Sequence, residues 1–260
     1  MPVGEVSRRQ LLLGTSGVAS AARGGTPPLH SVQTLSVGNT LVQLQQRVFG
    51  RGGLTWLNLH ENEATSVAAA RQLLQLEPGR LVALVSRGER LLRFEAGGQA
   101  CAVDPNRIFS DRGMVESLSL YGANNAQAQI AVRALRQAVL ALLPTAVARP
   151  VVALHNNSGG SFSIRNYQPG QRWAADAVAV KRVPAQPETD FFLVTERALF
   201  DALVAEGFSV VLQASNAVDD GSLSVWAQRQ GRAYINVEAR HGRLAEQLRM
   251  LQTVQRRFGN

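Results

Sequence analysis

Leu54-Thr55-Trp56-Leu57-Asn58-Leu59-His60-Glu61-Asn62-Glu63 is an apolar run that breaks into a histidine and two carboxylates. Its first six residues read as a buried strand. His60 and Glu63 form an H-x-x-E pair where the backbone leaves that strand, so an imidazole and a carboxylate can converge on one metal ion. Further strand-like runs lie at Leu81–Ser86, Leu91–Phe94, Val151–Leu154, Ala177–Val180, Phe191–Val194, Ser209–Leu212 and Ala233–Val237. Helical periodicity marks Ala64–Leu76, Ala126–Leu143, Glu196–Glu206, Ser222–Gln230 and Leu244–Phe258. The last of these carries Leu244, Leu248, Leu251, Val254 and Phe258 on one face, a core stripe that leaves its arginines in water. This alternation predicts one α/β domain with a mixed, mostly parallel central sheet and helices on both faces. Ligands in such sheets bind beyond the carboxyl ends of strands. His60 and Glu63 fall there.

Two later segments can complete the site. His155 follows the apolar run Val151-Val152-Ala153-Leu154, as His60 follows its own. His60, Glu63 and His155 make a His-Glu-His set for zinc that leaves a position open for water. Of the other histidines, His30 falls in the expected linker and is read as structural. Glu238 closes Tyr234-Ile235-Asn236-Val237 and is the candidate base, shuttling a proton from water to a leaving amine. Asp104-Pro105-Asn106-Arg107 offers a guanidinium fork beside an amide, suited to a substrate carboxylate or an oxyanion; the same residues are also common turn chemistry. The single Cys101 excludes an intramolecular disulfide and a cysteine-built zinc site.

H-x-x-E, Asn-Arg, a strand-ending His and a strand-ending Glu, in that order, resemble the zinc carboxypeptidase (M14-like) superfamily. The resemblance is nearest to its compact bacterial members, around murein peptide amidases and the succinylglutamate desuccinylase and aspartoacylase branch. It covers about Leu54 to His241, and Gly221-Ser222 resembles the family's Gly-Ser helix start. It implies a zinc carboxypeptidase-like fold with His60, Glu63 and His155 as ligands to one zinc. It also implies that Asn106 and Arg107 bind substrate, that Arg107 assists catalysis, and that Glu238 is the general acid/base. The sequence departs from the pattern at Glu61, where the family prefers glycine, and at Asn156-Asn157, where a small or hydroxyl residue is expected. Arg87, Arg90 and Arg93 are alternatives for the family's second substrate arginine. Tyr167 and Tyr234, ahead of Tyr121, are alternatives for its mobile-loop tyrosine.

Ser7-Arg8-Arg9-Gln10-Leu11-Leu12-Leu13, followed by small residues to Ala22, reads as a twin-arginine export signal over residues 1–21. Its apolar stretch is far shorter than the roughly 20 residues of a membrane span. A linker over 22–36 and the hydrolase domain over 37–260 follow, in a chain placed in the periplasm. The 260 residues carry a net charge of +8. No run of basic residues interleaved with aromatics points to nucleic acid. The charge suits a polyanionic partner such as peptidoglycan, or an acidic substrate; an arginine-rich soluble protein without such a partner has the same balance. The expected activity is hydrolysis of an amide bond in a peptide or murein peptide by metal-activated water. An N-acetylmuramoyl-L-alanine amidase and a non-catalytic peptide or peptidoglycan binding module are the alternatives. Asp219 and Asp220 can either select a basic group or cap the helix that follows.

Overall fold

The computed structural model describes residues 29–146, 149–158 and 162–259. In chain order the strands are β1 (Leu29–Val37), β2 (Thr40–Phe49), β3 (Leu54–Asn58), β4 (Gly79–Val85), β5 (Leu92–Ala96), β6 (Gln99–Val103), β7 (Val151–Asn157), β8 (Ala177–Lys181), β9 (Phe191–Val194), β10 (Val210–Gln213) and β11 (Tyr234–Arg240). The helices are α1 (Ala64–Leu74), α2 (Asp111–Tyr121), α3 (Ala126–Ala141), α4 (Arg197–Ala205), α5 (Leu223–Arg229) and α6 (Leu244–Phe258).

Every residue of β3, β7, β9 and β10 is buried, which requires cover on both faces of the sheet. Nine strands form it, in the order β1-β2-β4-β3-β7-β11-β9-β10-β8. Its middle, β4-β3-β7-β11, is parallel, and β2 and β9 flank it antiparallel. β5 and β6 form a separate hairpin. One core holds Leu57, Val151 and Ala153 of the sheet with Val132 and Leu135 of α3 and Leu223 and Ala227 of α5. The other holds Trp56, Val152 and Leu154 with α1, α4 and the α6 residues Met250, Leu251 and Val254. Alternate residues of one strand thus enter opposite cores, as the period of two demands. The chain is therefore a single α/β domain with a mixed sheet, as its pattern implies. Among the described residues no helix is long and apolar enough to cross a membrane.

Two sequence expectations change. The linker expected over 22–36 is sheet from Leu29 onward, since β1 pairs antiparallel with β2 along its whole length. β1 has a mostly exposed, polar pattern, which hid it among loop residues. β7 and β11 each run two residues past His155 and Glu238. These side chains are held inside the ladder, where sheet hydrogen bonds fix their direction, rather than at a fraying end. The export signal expected over 1–21 lies outside the described residues.

Candidate metal centre

β3 ends at Asn58, and the N–H of Glu63 returns to the carbonyl of His60 at 3.0 Å, closing a tight turn. Glu63 then stands as N-cap of α1, where the helix end favours negative charge. His155 comes from β7, two strand positions beyond Ala153, which pairs with Leu57 of β3. The result is a convergence: Nδ1 of His60 lies 3.0 Å from Oε1 of Glu63, and Nδ1 of His155 lies 3.0 Å from Oε2. All three side chains are buried. One ligand atom from each lies within 4.8 Å of the others.

The donor set can be tested against zinc on its own terms. Nε2 of His60 lies 2.7 Å from Oδ1 of Asp104. An ionised carboxylate only accepts, so Nε2 carries a proton and Nδ1 is the ring nitrogen turned toward Glu63. That Nδ1 is buried and has no hydrogen-bond partner, although Glu63 Oε1 is close. The imidazole and the carboxylate face each other in a buried site, a place that a proton fills without metal and that a zinc ion would take. Zinc bonds of about 2.0 Å in tetrahedral array separate ligand atoms by about 3.3 Å, near the 3.0 Å of each His–Glu contact. His60, Glu63 and His155 fit a zinc ion.

Charge reinforces the arrangement. Burial works against ionised Glu63, yet the imidazoles of His155 and His60 hold its carboxyl well below the usual range. Burial also opposes protonation of His60, but Glu63 and Asp104 outweigh it and raise its pKa to about 9. Asp104, likewise buried, is held low by His60, Arg90 and Arg107.

Glu238 of β11 is the direct register partner of His155 across the parallel ladder, so the two side chains emerge side by side on one face. Burial pushes its carboxyl up to about 7, with Glu63 adding repulsion while His155, Asn236 and Arg90 pull down. Asn236 donates to Glu238 Oε1 at 3.1 Å, and its own buried Oδ1 has no hydrogen-bond partner. Tyr167 and Tyr234 are buried on this side. Burial first and the charge of Glu238 second push both phenols up.

Asn106 and Arg107 sit in a short 3-10 turn at Pro105–Arg107. Oδ1 of Asn106 accepts the N–H of Leu223 at 3.1 Å, so part of this amide is scaffold for the start of α5. The Arg107 guanidinium lies 3.5 Å from Asp220 and is partly exposed, and its charge reaches Asp104, Tyr167 and Tyr234. It borders the site without touching the His-Glu-His group. Gly221 fixes this corner: with φ of +75°, a Cβ there would stand 2.3 Å from the Arg107 carbonyl oxygen. Asp219 and Asp220 act as local tethers. They accept from Gly221 and Ser222 backbone N–H groups, and Asp219 also pairs with Arg229.

Several site residues were not assigned from sequence. Asp104, read there as turn chemistry, orients His60. Arg90, one of three equal alternatives, is the one that reaches the centre, bonding Glu63 Oε1 at 2.9 Å and Asp104 Oδ2 at 3.3 Å. Asn156, unexplained in the sequence, is a stitch: its Oδ1 accepts the Ser66 N–H, and its amide donates to Gln247 of α6. Only the acidic residue directly after the apolar Ala102-Val103 gave a signal for Asp104; the others depend on tertiary placement.

Fold and site together define an α/β protein with a buried His-Glu-His donor set at the carboxyl ends of parallel strands. No protein-family model matches the chain, and no curated protein is similar to it in sequence. Among solved structures, it is similar to a succinylglutamate desuccinylase/aspartoacylase from Rhodobacter sphaeroides, with 14% identity, a TM-score of 0.45, and 90% of this chain covered. It is also similar to an aspartoacylase family protein from Mesorhizobium loti, with 15% identity, a TM-score of 0.42, and 88% of this chain covered. The match spans 66% of the length of each of those chains.

Proposed function

We propose that the protein is an exported, zinc-dependent amide hydrolase acting on a peptide or a peptide derived from the cell wall. One observation carries the reading: His60, Glu63 and His155 converge in a buried group, with Glu238 beside His155 on the same sheet face. Zinc, when bound, supplies a Lewis acid that brings the pKa of water down to about 7. Glu238 takes a proton from the attacking water and delivers it to the leaving nitrogen. A carboxyl held at about 7 both accepts and releases a proton near neutrality. Asn236 keeps that carboxylate aimed. Arg90 and Arg107, on the Asp104 side, meet an anionic substrate group or the negative charge that develops on the carbonyl oxygen. Export is supported by the twin arginine Arg8-Arg9 and the apolar and small residues after it. The net charge of +8 suits an anionic wall partner.

Metal analysis and muropeptide digestion test the reading together. Stoichiometric zinc is expected in the purified protein, lost in His60→Ala and His155→Ala; unchanged zinc in both variants removes the ligand assignment. Digestion is expected to shorten stem peptides, and Glu238→Gln to stop it. Release of intact stems from glycan would instead mark an N-acetylmuramoyl-L-alanine amidase, and zinc binding with no amide cleaved would mark a binding module.

A further inference from the structure

Glu61 stands where the resemblance leads one to expect glycine, and the structure shows what its side chain does. Its Oε2 accepts the backbone N–H of Ser86 at 2.7 Å and of Gly88 at 2.6 Å. One oxygen takes both. Gly88 has φ of +77°, a left-handed conformation that glycine adopts without strain. The turn there brings two amides of one short loop onto a single carboxylate, a small anion-holding concavity.

Two residues further along the same loop, Arg90 reaches the metal centre, donating to Glu63 Oε1 at 2.9 Å and to Asp104 Oδ2 at 3.3 Å. Its neighbours go elsewhere: Arg87 donates to Thr40 Oγ1, and Arg93 to Glu89 Oε2. The Arg90 side chain remains 48% exposed. Its partner carboxylates are buried and fixed, and ordering the long arginine side chain onto them costs rotamer freedom. The pairing therefore depends on where the loop places the Arg90 backbone. The next firm anchor along the chain is the buried Leu92.

We infer that Glu61 is a positioning residue: by holding Ser86 and Gly88 it fixes the loop that carries Arg90 onto Glu63 and Asp104. The inference rests on the proposed function only in taking Glu63 as a metal ligand. Glu61 itself touches neither substrate nor metal in this role.

Amide hydrogen exchange on the metal-free full chain tests it, using Glu61→Gln and Glu61→Ala. Glutamine keeps a carbonyl oxygen able to accept both amides; alanine keeps none. Wild type and Glu61→Gln are expected to protect Ser86 and Gly88 alike, and Glu61→Ala to lose about tenfold or more of that protection. In Glu61→Ala the guanidinium resonance of isotope-labelled Arg90 is expected to move to its solvent-exposed position. Retained protection in Glu61→Ala, or an Arg90 signal indifferent to its loss, overturns the inference. A Glu61→Gln variant that loses protection as alanine does supports the clamp as well, the carboxylate's charge then being what the two amides hold.

Zinc affinity gives a second readout. Arg90→Ala removes a cation bonded to a ligand carboxylate and is expected to tighten zinc roughly tenfold. Glu61→Ala is expected to tighten it in the same direction and to add nothing in the Arg90→Ala background. Weaker zinc binding in Glu61→Ala means that its negative charge acts on the metal directly, and overturns the inference. A wild-type protein that binds no zinc removes the proposed function and leaves the exchange result to decide the clamp.

Discussion

Asp104 Oδ1 lies 2.7 Å from His60 Nε2, with both side chains buried. This contact selects the imidazole tautomer, and so determines which nitrogen is presented to Glu63 and His155. Asp104 is itself fixed, because its backbone N–H donates to Ser117 of α2 and its carboxylate takes the Asn106 N–H. Replacing it with alanine leaves His60 free to rotate and to carry its proton on the wrong nitrogen. Outer partners of this kind are worth about 10–100-fold in metal affinity. We expect Asp104→Ala to weaken zinc binding by that factor, measured by competition with a chromophoric chelator, while secondary structure by circular dichroism stays unchanged. Undiminished affinity means that His60 is oriented by something else.

Gly221 is expected to tolerate no side chain. Its φ of +75° disfavours other residues, and an added Cβ would meet the Arg107 carbonyl oxygen at 2.3 Å and Gly113 Cα at 2.7 Å. All of these are backbone atoms, which cannot swing aside as a side-chain tip can. Gly221→Ala is expected to destabilise the protein by about 2 kcal/mol or more, read by denaturant unfolding. An alanine variant as stable as wild type would show that this corner repacks freely.

Asn156 joins three elements on the side of the sheet opposite His155. It receives the Ser66 N–H at 2.9 Å and donates to Gln247 at 3.0 Å, both buried. Ser66 in turn donates its hydroxyl to the Glu63 carbonyl at 2.8 Å. Asn156→Ala strands a buried amide N–H and a buried glutamine, a loss of about 1–3 kcal/mol. Asn156→Asp, which still accepts but cannot donate, is expected to recover part of that loss only if a proton is taken up. Chemical denaturation at neutral and at acidic pH separates the two variants.

What was legible in the sequence follows from physical locality. β3, β7 and β11 announce themselves through continuous apolar runs, because a strand covered on both faces has no polar side to alternate. Their shared role at the carboxyl ends also placed His60, His155 and Glu238 near one another. α6 was legible to the residue because its stripe is regular. By contrast β1, β2 and α2 carry polar or mixed patterns, since each has one wet face and sits at the margin of the sheet or against the β5–β6 hairpin. The departures at Glu61 and Asn156 were visible as oddities, but their partners at Ser86, Gly88, Ser66 and Gln247 are set by how loops and helices dock. No local pattern encodes that. Arg90 was indistinguishable from Arg87 and Arg93 for the same reason.

Glu238 makes a prediction with a definite sign. In the metal-free protein its carboxyl is raised from an ordinary 4.5 to about 7, chiefly by burial, with Glu63 adding to the effect. His155, Asn236 and Arg90 oppose it, and Tyr167 and Tyr234 sense its charge. A raised carboxyl pKa means that the folded chain holds a proton the unfolded chain has released. Stability from this group is therefore present below about 4.5 and is lost as pH rises toward about 7. Glu238→Gln cannot ionise and lacks this loss. The variant is expected to gain on wild type across that window, by on the order of 3 kcal/mol at its upper end. Unfolding free energies of the two metal-free proteins at stepped pH values give the difference directly. Zinc bound by the neighbouring His155 and Glu63 favours the carboxylate, so loading the metal is expected to move the Glu238 titration, followed by carboxyl-carbon resonances, to lower pH. A difference that is flat with pH, or a titration that zinc leaves in place, means that Glu238 is not buried beside the metal centre.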